Sequence, residues 1–442
     1  MPRPNVVCDK FGGSAFKDYH GFTSAAEYLS RQINDGYSPV AVVSAPSGVS
    51  NLLIDSMDGR RKIGDLKGEL HANYNQILEN VADGMERKLA VKEIEKELSL
   101  MEGILAERDY DRFLALGENH SGILLRHALG LRGICASYTD GCEAGVCVNF
   151  NGLPLVNASI QRINKNLARK SKSVRIVGGY VGSHVDNGKY KLMGRNSTDI
   201  TGALVSRALG AQRYEIIKEV PGIYRVEPEF CKTDIVPKLS YGEAGQITWR
   251  GAKVIHPKAV EISKNAGLMI VVKSMENDGS TVISSESGTT REHPVAVISA
   301  GNFLLIDVRD SNIRSYYRKI IDELDEGDNS TFETVMPANE LCVVMQNHGG
   351  HEDDYAALLK NHLEKLGHEP EVSSRTLGGI GLTGDAMKDI PGTTSFLTGI
   401  LGKRGINIVI SSQVDVAGPA INLYVKQPDM KEAVNAFCEE LF

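Results

Sequence analysis

A lysine two residues ahead of a Gly-Gly-Ser turn is a group that can hold phosphate. Lys10 and Gly12-Gly13-Ser14 stand in "NVVCDKFGGSAFKD", after the apolar run Val6 to Cys8 and before the amphipathic "GFTSAAEYLSRQI". Glycine lets backbone N–H groups converge on an anion, and the lysine adds a point charge. The same residues also fit a plain strand-to-helix turn that needs glycine only for a positive φ, with Lys10 solvated at its edge. A second group lies in "KLMGRNSTDITGALVSRALGA". There Thr198 or Asp199 can cap a helix with Arg195 exposed upstream. Alternatively, Ser197, Thr198 and the helix N-terminus face an anion while Arg195 grips a carboxylate in a two-point fork. In "RFLALGENHSGILL" the residues Leu114, Gly117, Ser121 and Leu125 mark one helical face. Glu118 beside them is either a solvated or capping carboxylate or a functional one. "KEVPGIYRVEPE" reads as a strand entering a Pro-Gly turn, and "WRGAKVIHPKAV" places Lys253 and His256 ahead of Pro257 at the first position of a helix. His256 there is a general base or a packing and capping group.

Other chemistries are excluded. "GIGLTG" at 379–384 matches the dinucleotide fingerprint, but "EVSSRTLG" precedes it and Pro391 soon follows, where an apolar strand and an immediate helix are required. No GxxxxGK[ST] segment exists. The seven cysteines, Cys8, Cys135, Cys142, Cys147, Cys231, Cys342 and Cys438, are scattered without a CxxC pair. Zinc spacing is therefore lacking, and reduced, mostly buried thiols are expected.

The elements that must position these groups alternate. "PVAVVSA", "VRIVGGYV", "RYEIIKEV" and "LMIVVKS" read as buried strands, while "SIQRINKNLARKS", "TDITGALVSRALGA" and "HPKAVEISKNAG" have helical spacing. This predicts an α/β domain with a largely parallel sheet. Between Leu66 and Leu116, Ile77, Val81, Met85 and Leu89 lie four apart among many charges, as a helical subdomain requires. After the polar break "SSESGTTREHP", "VAVISAGNFLLIDV" with "SYYRKIIDELDE", and "TTSFLTGILGKRG" with "INIVISSQ" and "AINLYVK", suggest two smaller α+β units in tandem. At 442 residues the chain is long enough for about two to four domains. With 49 Lys+Arg against 56 Asp+Glu its net charge is -7, which favours neither nucleic acid nor an anionic membrane as a partner. The absence of any apolar run of about 18 residues or a secretory leader pattern predicts a cytoplasmic protein with no membrane segment.

In this order the motifs resemble the aspartate kinases of the amino-acid-kinase superfamily. "KFGGSAF" is similar to the family's KFGGTSV, "VVSAPSGVSN" to VSAxxGVT, "LALGENHSG" to GExxS, "GRNSTDITGALVS" to GRGGSDTTA and "GAKVIHPKAVE" to GAKVLHP. "DIPGTTSFLTGILGKRGINIVISSQ" is similar to the second regulatory ACT module. The resemblance implies a three-layer α/β/α catalytic domain over 1–288 with a helical subdomain at about 60–116, and ACT domains over 289–376 and 377–442. It implies transfer of the γ-phosphoryl group of ATP, with Mg²⁺, to the side-chain carboxylate of aspartate. Lys10, Gly12, Gly13 and Ser14 would hold the phosphates and Ser44 would lie against them. Asp199 would organise Lys10 and the metal-bound nucleotide; Ser197 and Thr198 belong to the same loop. Glu118 would meet the substrate ammonium group and Arg195 its α-carboxylate, while Tyr224 and Lys253 would border the nucleotide. ACT modules imply a homodimer or higher oligomer and a possible amino-acid effector, in biosynthesis of lysine, threonine and methionine.

A carboxylate acceptor is ionised at neutral pH, so such a transfer needs no general base, only alignment and charge neutralisation. On this reading His256 stays structural. The chain also departs from the pattern. Asn196 and Ser197 replace two glycines, Lys218-Glu219 replaces Thr-Asp, Glu227 replaces Asp, Glu229 stands where an arginine is expected, and Asn119 replaces an arginine.

Overall fold

The computed structural model describes residues 5–81, 84–167, 173–194, 196–249, 255–325, 331–336, 339–346, 352–414 and 419–442. The chain divides into two compact units, one of Met1–Ile223 with Val254–Glu286, the other of Tyr224–Lys253 with Ser287–Phe442. The segment Tyr224–Lys253 thus groups with the C-terminal part, although its place in the sequence lies inside 1–288.

In the first unit the Val- and Ile-rich runs form strands β1 (Val6–Phe11), β2 (Ser38–Val43), β3 (Ala136–Thr139), β4 (Val174–Gly178), β5 (Arg213–Lys218), β6 (Met269–Ser274) and β7 (Ser280–Ser284). Their order is β3-β4-β2-β1-β5-β6-β7. Every pair is parallel except β6 with β7. The central strand β1 is buried along its whole length, as a sheet covered on both faces requires. Four helices, α1 (Tyr19–Asn34), α2 (Ile63–Val81), α3 (Gly84–Ala106) and α4 (Tyr110–Gly130), contribute to a core with Phe11, Val43, Ile176 and Ile217 of one sheet face. Residues one step away in the strands point to the other face. There Cys8 donates to the Gly202 carbonyl at 3.6 Å and Tyr214 to that of Asp199 at 3.1 Å, both in α5 (Thr198–Leu209). A further helix, α6 (Pro257–Lys264), packs on α5. This is the three-layer α/β/α arrangement expected.

Helices α2, α3 and α4 lie between residues 63 and 130, but the buried stripe is not the expected one. α2 and α3 are separate helices, and Met85 and Leu89 are 71% and 47% exposed. The buried face of α3 is instead Ala90, Ile94, Leu98, Met101 and Ile104, a stripe that combines two steps of four with two of three and so stays on one side of a 3.6-residue turn.

The second unit contains a six-stranded sheet. Its strands are β8 (Val297–Arg309), β9 (Thr331–Val335), β10 (Glu340–Gln346), β11 (Glu371–Thr383), β12 (Ile408–Val414) and β13 (Ala420–Lys426), in the order β9-β10-β8-β11-β13-β12. All pairs are antiparallel. Helices α7 (Ile313–Asp325) and α8 (Glu352–Lys365) build one core with β8 and β10, through Ile313, Tyr316, Ile320, Leu359 and Leu363. Helices α9 (Thr393–Lys403) and α10 (Met430–Leu441) build another with β11 and β13, through Leu397, Leu401, Val434 and Phe437. Two α+β modules result, and they share one sheet. β8 and β11 pair from Val297↔Thr383 to Arg309↔Glu371, so the expected boundary at 376/377 falls inside a strand. Residues 379–383 of "GIGLTG" lie in that strand, which makes no nucleotide turn of them; Gly379 is needed because a Cβ there would stand 2.4 Å from Phe303. The cysteine expectation is corrected in this unit. Cys231 and Cys438, 207 residues apart, are joined by a disulfide, because the loop after Tyr224 and helix α10 meet in one core. Cys8 and Cys147 are buried free thiols, but Cys135 is exposed.

Candidate active site

The carboxyl ends of β1 and β2 hold the site. β1 delivers Lys10 to the face covered by α5, where its Nζ lies 2.8 Å from Oδ1 of Asp199, with both side chains buried. The other Asp199 oxygen accepts the backbone N–H of His256 at 2.9 Å. Burial alone would raise the Asp199 carboxyl, but the charges of Lys10 and Lys218 and these hydrogen bonds outweigh it and hold it below the usual carboxylate range. Asp199 therefore does not cap its helix, and neither does Thr198. The cap position is Ser197, whose side chain makes no cap bond. His256 is a capping group: its Nδ1 accepts the Lys258 N–H at 3.1 Å, with Pro257 opening α6 as expected.

Neither Gly12 nor Gly13 has a positive φ, so the plain-turn reading fails. They serve close approach instead. A Cβ on Gly13 would stand 2.9 Å from the Ala45 carbonyl, and one on Gly12 would sit 3.6 Å from Lys10 Nζ and 3.8 Å from Ser14 Oγ, filling the space in front of the lysine. The segment Ser44-Ala45, which leaves β2, ties the remaining groups together. Ser44 Oγ donates to Thr198 Oγ1 at 3.0 Å, and the Ala45 N–H donates to Glu118 Oε1 at 3.0 Å. Glu118 comes this near because Gly117 has no side chain; a Cβ there would meet that of Ala45 at 2.6 Å. Gly179 likewise yields to Thr198, whose Cγ2 would be 2.4 Å from an added Cβ.

Glu118 is 4% exposed. Burial pushes its carboxyl up to about 8, only partly opposed by hydrogen bonds such as that from Ala45. Its Oε2 is buried without a hydrogen-bond partner. A buried carboxylate with a spare oxygen is costly alone and well matched to an incoming cation. The arrangement thus offers a cation and backbone amides for an anion at one end, and a carboxylate for a positive group at the other.

Residues 6–274 match the pattern of the amino acid kinase family. The chain belongs to that family. Among curated relatives of this amino acid kinase, aspartokinase 1 of Bacillus subtilis (strain 168) is 25% identical over 448 residues, covering 98% of each chain. The aspartokinase of Bacillus sp. (strain MGA3) is 25% identical, over 87% of this chain and 96% of that one. Among solved structures, E. coli aspartokinase III in complex with aspartate and ADP superposes with a TM-score of 0.82 at 21% identity, covering 99% of this chain and all (100%) of that one. The aspartate kinase of Clostridium acetobutylicum gives 0.77 at 18% identity, with 99% and 100% covered.

Of the residues singled out in the sequence of this amino acid kinase, Lys10, Gly12, Gly13, Ser14, Ser44, Glu118, Thr198 and Asp199 come together in the first unit. Ser197 is buried at the helix start with an unpartnered hydroxyl. Tyr224 lies in the second unit, bridged to Ile235. Arg195 and Lys253 lie outside the described residues. The departure at Asn196 is accommodated by the backbone: its φ is 61°, a left-handed conformation that asparagine adopts more readily than most residues. Asn119, in place of an arginine, joins Glu97 at 3.0 Å and Tyr138 at 2.8 Å. Sequence reasoning missed the backbone partners, Ala45 and His256, since a main-chain N–H leaves no trace in residue type.

Proposed function

We propose that this chain is an aspartate kinase, transferring the γ-phosphoryl group of ATP to the side-chain carboxylate of L-aspartate to give 4-phospho-L-aspartate. The observation that carries the proposal is the buried Lys10–Asp199 pair in front of the side-chain-free Gly12-Gly13 turn, with Glu118 beside it holding a spare oxygen. Relatives matched over their full length are aspartokinases, and one superposed structure holds aspartate and ADP.

Lys10 and the amides of the turn grip the transferring phosphoryl group and offset the charge that builds between two anions. Glu118 takes the substrate ammonium group, Arg195 the α-carboxylate, and Ser44, Ser197 and Thr198 line the space between. Magnesium fits as an ion carried by the phosphates, whose charge it neutralises, because Asp199 already holds Lys10 and the His256 N–H and so leaves little of a protein cage. The C-terminal modules are ACT domains that bind an amino-acid effector and pair subunits into a homodimer or larger assembly, in a cytoplasmic enzyme of lysine, threonine and methionine biosynthesis. Among the described residues no helix is long and apolar enough to cross a membrane.

A second reading is a kinase for another amino-acid carboxylate, favoured by Asn119, whose bonds to Glu97 and Tyr138 replace a cation beside Glu118. Trapping the acyl phosphate with hydroxylamine, given ATP, Mg²⁺ and a panel of aspartate, glutamate and close analogues, tests both. Hydroxamate from aspartate at an enzymatic rate supports the first, and reaction only with another acceptor supports the second. No reaction with any acceptor overturns both in favour of a regulatory homologue.

A further inference from the structure

Three side chains of the catalytic sheet reach helix α5 from below. β1 and β5 are parallel neighbours with Cys8 opposite Tyr214 and Lys10 opposite Ile216. Cross-strand partners share a face, as do side chains two apart on one strand, so Cys8, Lys10 and Tyr214 all project toward α5. Cys8 Sγ donates to the Gly202 carbonyl at 3.6 Å, Lys10 pairs with the Asp199 carboxylate, and the Tyr214 hydroxyl donates to the Asp199 main-chain carbonyl at 3.1 Å. Asp199 is thus gripped twice, by Lys10 and the His256 N–H at its carboxylate and by Tyr214 at its backbone.

The helix is shaped to receive the phenol. Gly202 stands three residues after Asp199, on the same side of α5, inside a helix where glycine is a poor former and where its φ is not positive. A Cβ there would stand 2.4 Å from the Tyr214 hydroxyl oxygen and 2.6 Å from its Cε2 and Cζ. The missing side chain is therefore what lets the ring lie under the first turns and the hydroxyl reach Asp199. Tyr214 is fully buried, and burial first, then the charge of Asp199, push its phenol well above the usual range, so it stays a donor. A carbonyl has two lone pairs and can take the phenol as well as a helical N–H.

We propose that Tyr214 is a positioning residue of this site, its hydroxyl fixing the first turn of α5 so that the Asp199 carboxylate meets Lys10 and holds the lysine toward the transferring phosphoryl group. The proposal rests on the reading of the protein as an ATP-dependent kinase. It is tested by steady-state kinetics of acyl-phosphate formation with full-chain wild type, Tyr214→Phe, Gly202→Ala and Cys8→Ala. Tyr214→Phe keeps the ring and removes only the hydroxyl, Gly202→Ala displaces the phenol from the helix side, and Cys8→Ala removes a bond to α5 that does not touch Asp199. Circular dichroism and melting curves establish that each variant is folded at the assay temperature. The expected result is a kcat lowered about 3- to 30-fold in Tyr214→Phe and in Gly202→Ala with both KM values within about 2-fold, because a misplaced charge pair is felt in the transition state more than in ground-state binding. Cys8→Ala should keep kcat within about 2-fold of wild type. Wild-type kcat in either of the first two variants, a raised KM at unchanged kcat, or an equal kcat loss in Cys8→Ala overturns the role of Tyr214 alone. Wild-type protein that forms no acyl phosphate with any acceptor overturns the kinase reading and this inference with it.

Discussion

Two buried glutamates, one in each unit, differ in how far folding satisfies them. Glu243 of the second unit is fully buried, yet it accepts the Ser240 N–H, the Ser287 hydroxyl and the Asp385 N–H, each at 2.7 Å. Both of its oxygens are used, and it knits three segments of the unit together. Glu118 of the first unit accepts the Ala45 N–H and keeps Oε2 buried and unpartnered. Glu243 is satisfied by folding, whereas Glu118 keeps an acceptor oxygen for the ammonium group proposed above. The same contrast runs through the ion pairs. Lys10–Asp199 is buried, while Arg309–Glu340, Arg375–Asp307 and Arg404–Glu439 of the second unit each have a partner more than 40% exposed.

Breaking the first unit at its charge pair has the largest expected effect. Lys10→Ala should lower kcat by roughly 10²- to 10³-fold or more, the scale of removing one group that stabilises transition-state charge. Steady-state kinetics checks this, and near-wild-type kcat would end the site assignment. Glu243→Ala should leave three donors unsatisfied and destabilise the protein by about 2 to 4 kcal/mol in denaturant unfolding.

Glu118→Gln sharpens the comparison, because here stability and function should part. The folded-state carboxyl is raised to about 8, so its contribution to stability is present below its ordinary range near 4.5 and lost as pH rises through 8. Melting of the ligand-free protein should therefore show wild type falling behind Glu118→Gln increasingly between pH 5 and about 8. The variant should at the same time bind the amino-acid substrate roughly 10- to 100-fold less well. A pH-independent difference in melting would mean that Glu118 is not held as a buried acid. Arg404→Ala, which opens an exposed pair, should change stability by no more than about 1 kcal/mol and is the control for the series.

Much of this was legible in residue order. The Val- and Ile-rich runs gave the strands β1, β2, β4, β5 and β6, since strands buried on both faces must be almost wholly apolar. Lys10 and the two glycines fitted a phosphate cradle and a plain turn alike, and Asp199 fitted a helix cap as well; their association was implied by the family resemblance. Of the two readings of the glycines the positive-φ one fails, since neither has a positive φ, and what excludes a side chain at Gly13 is the Ala45 carbonyl, remote in sequence. The stripe through Met85 and Leu89 misled because it runs from α2 into the separate helix α3, whose own buried face begins at Ala90 and leaves both residues exposed. β10 and α8 in the second unit were not singled out, because short mixed runs such as "ELCVVMQ" carry little periodic signal.

By itself the sequence determined which strands are buried, which residues could meet an anion, and the alternation that makes a parallel sheet, because these depend on local apolar period and residue type. Only the tertiary structure decided that Asp199 serves Lys10 rather than its helix, that Glu118 is left one oxygen short, that Tyr214 shares the face of Lys10, and that Cys231 finds Cys438 across 207 residues. Each of these is a long-range pairing. A residue's type fixes what it can bind, but its burial and its partners arise from strand register and helix packing, which no local stretch of chain contains.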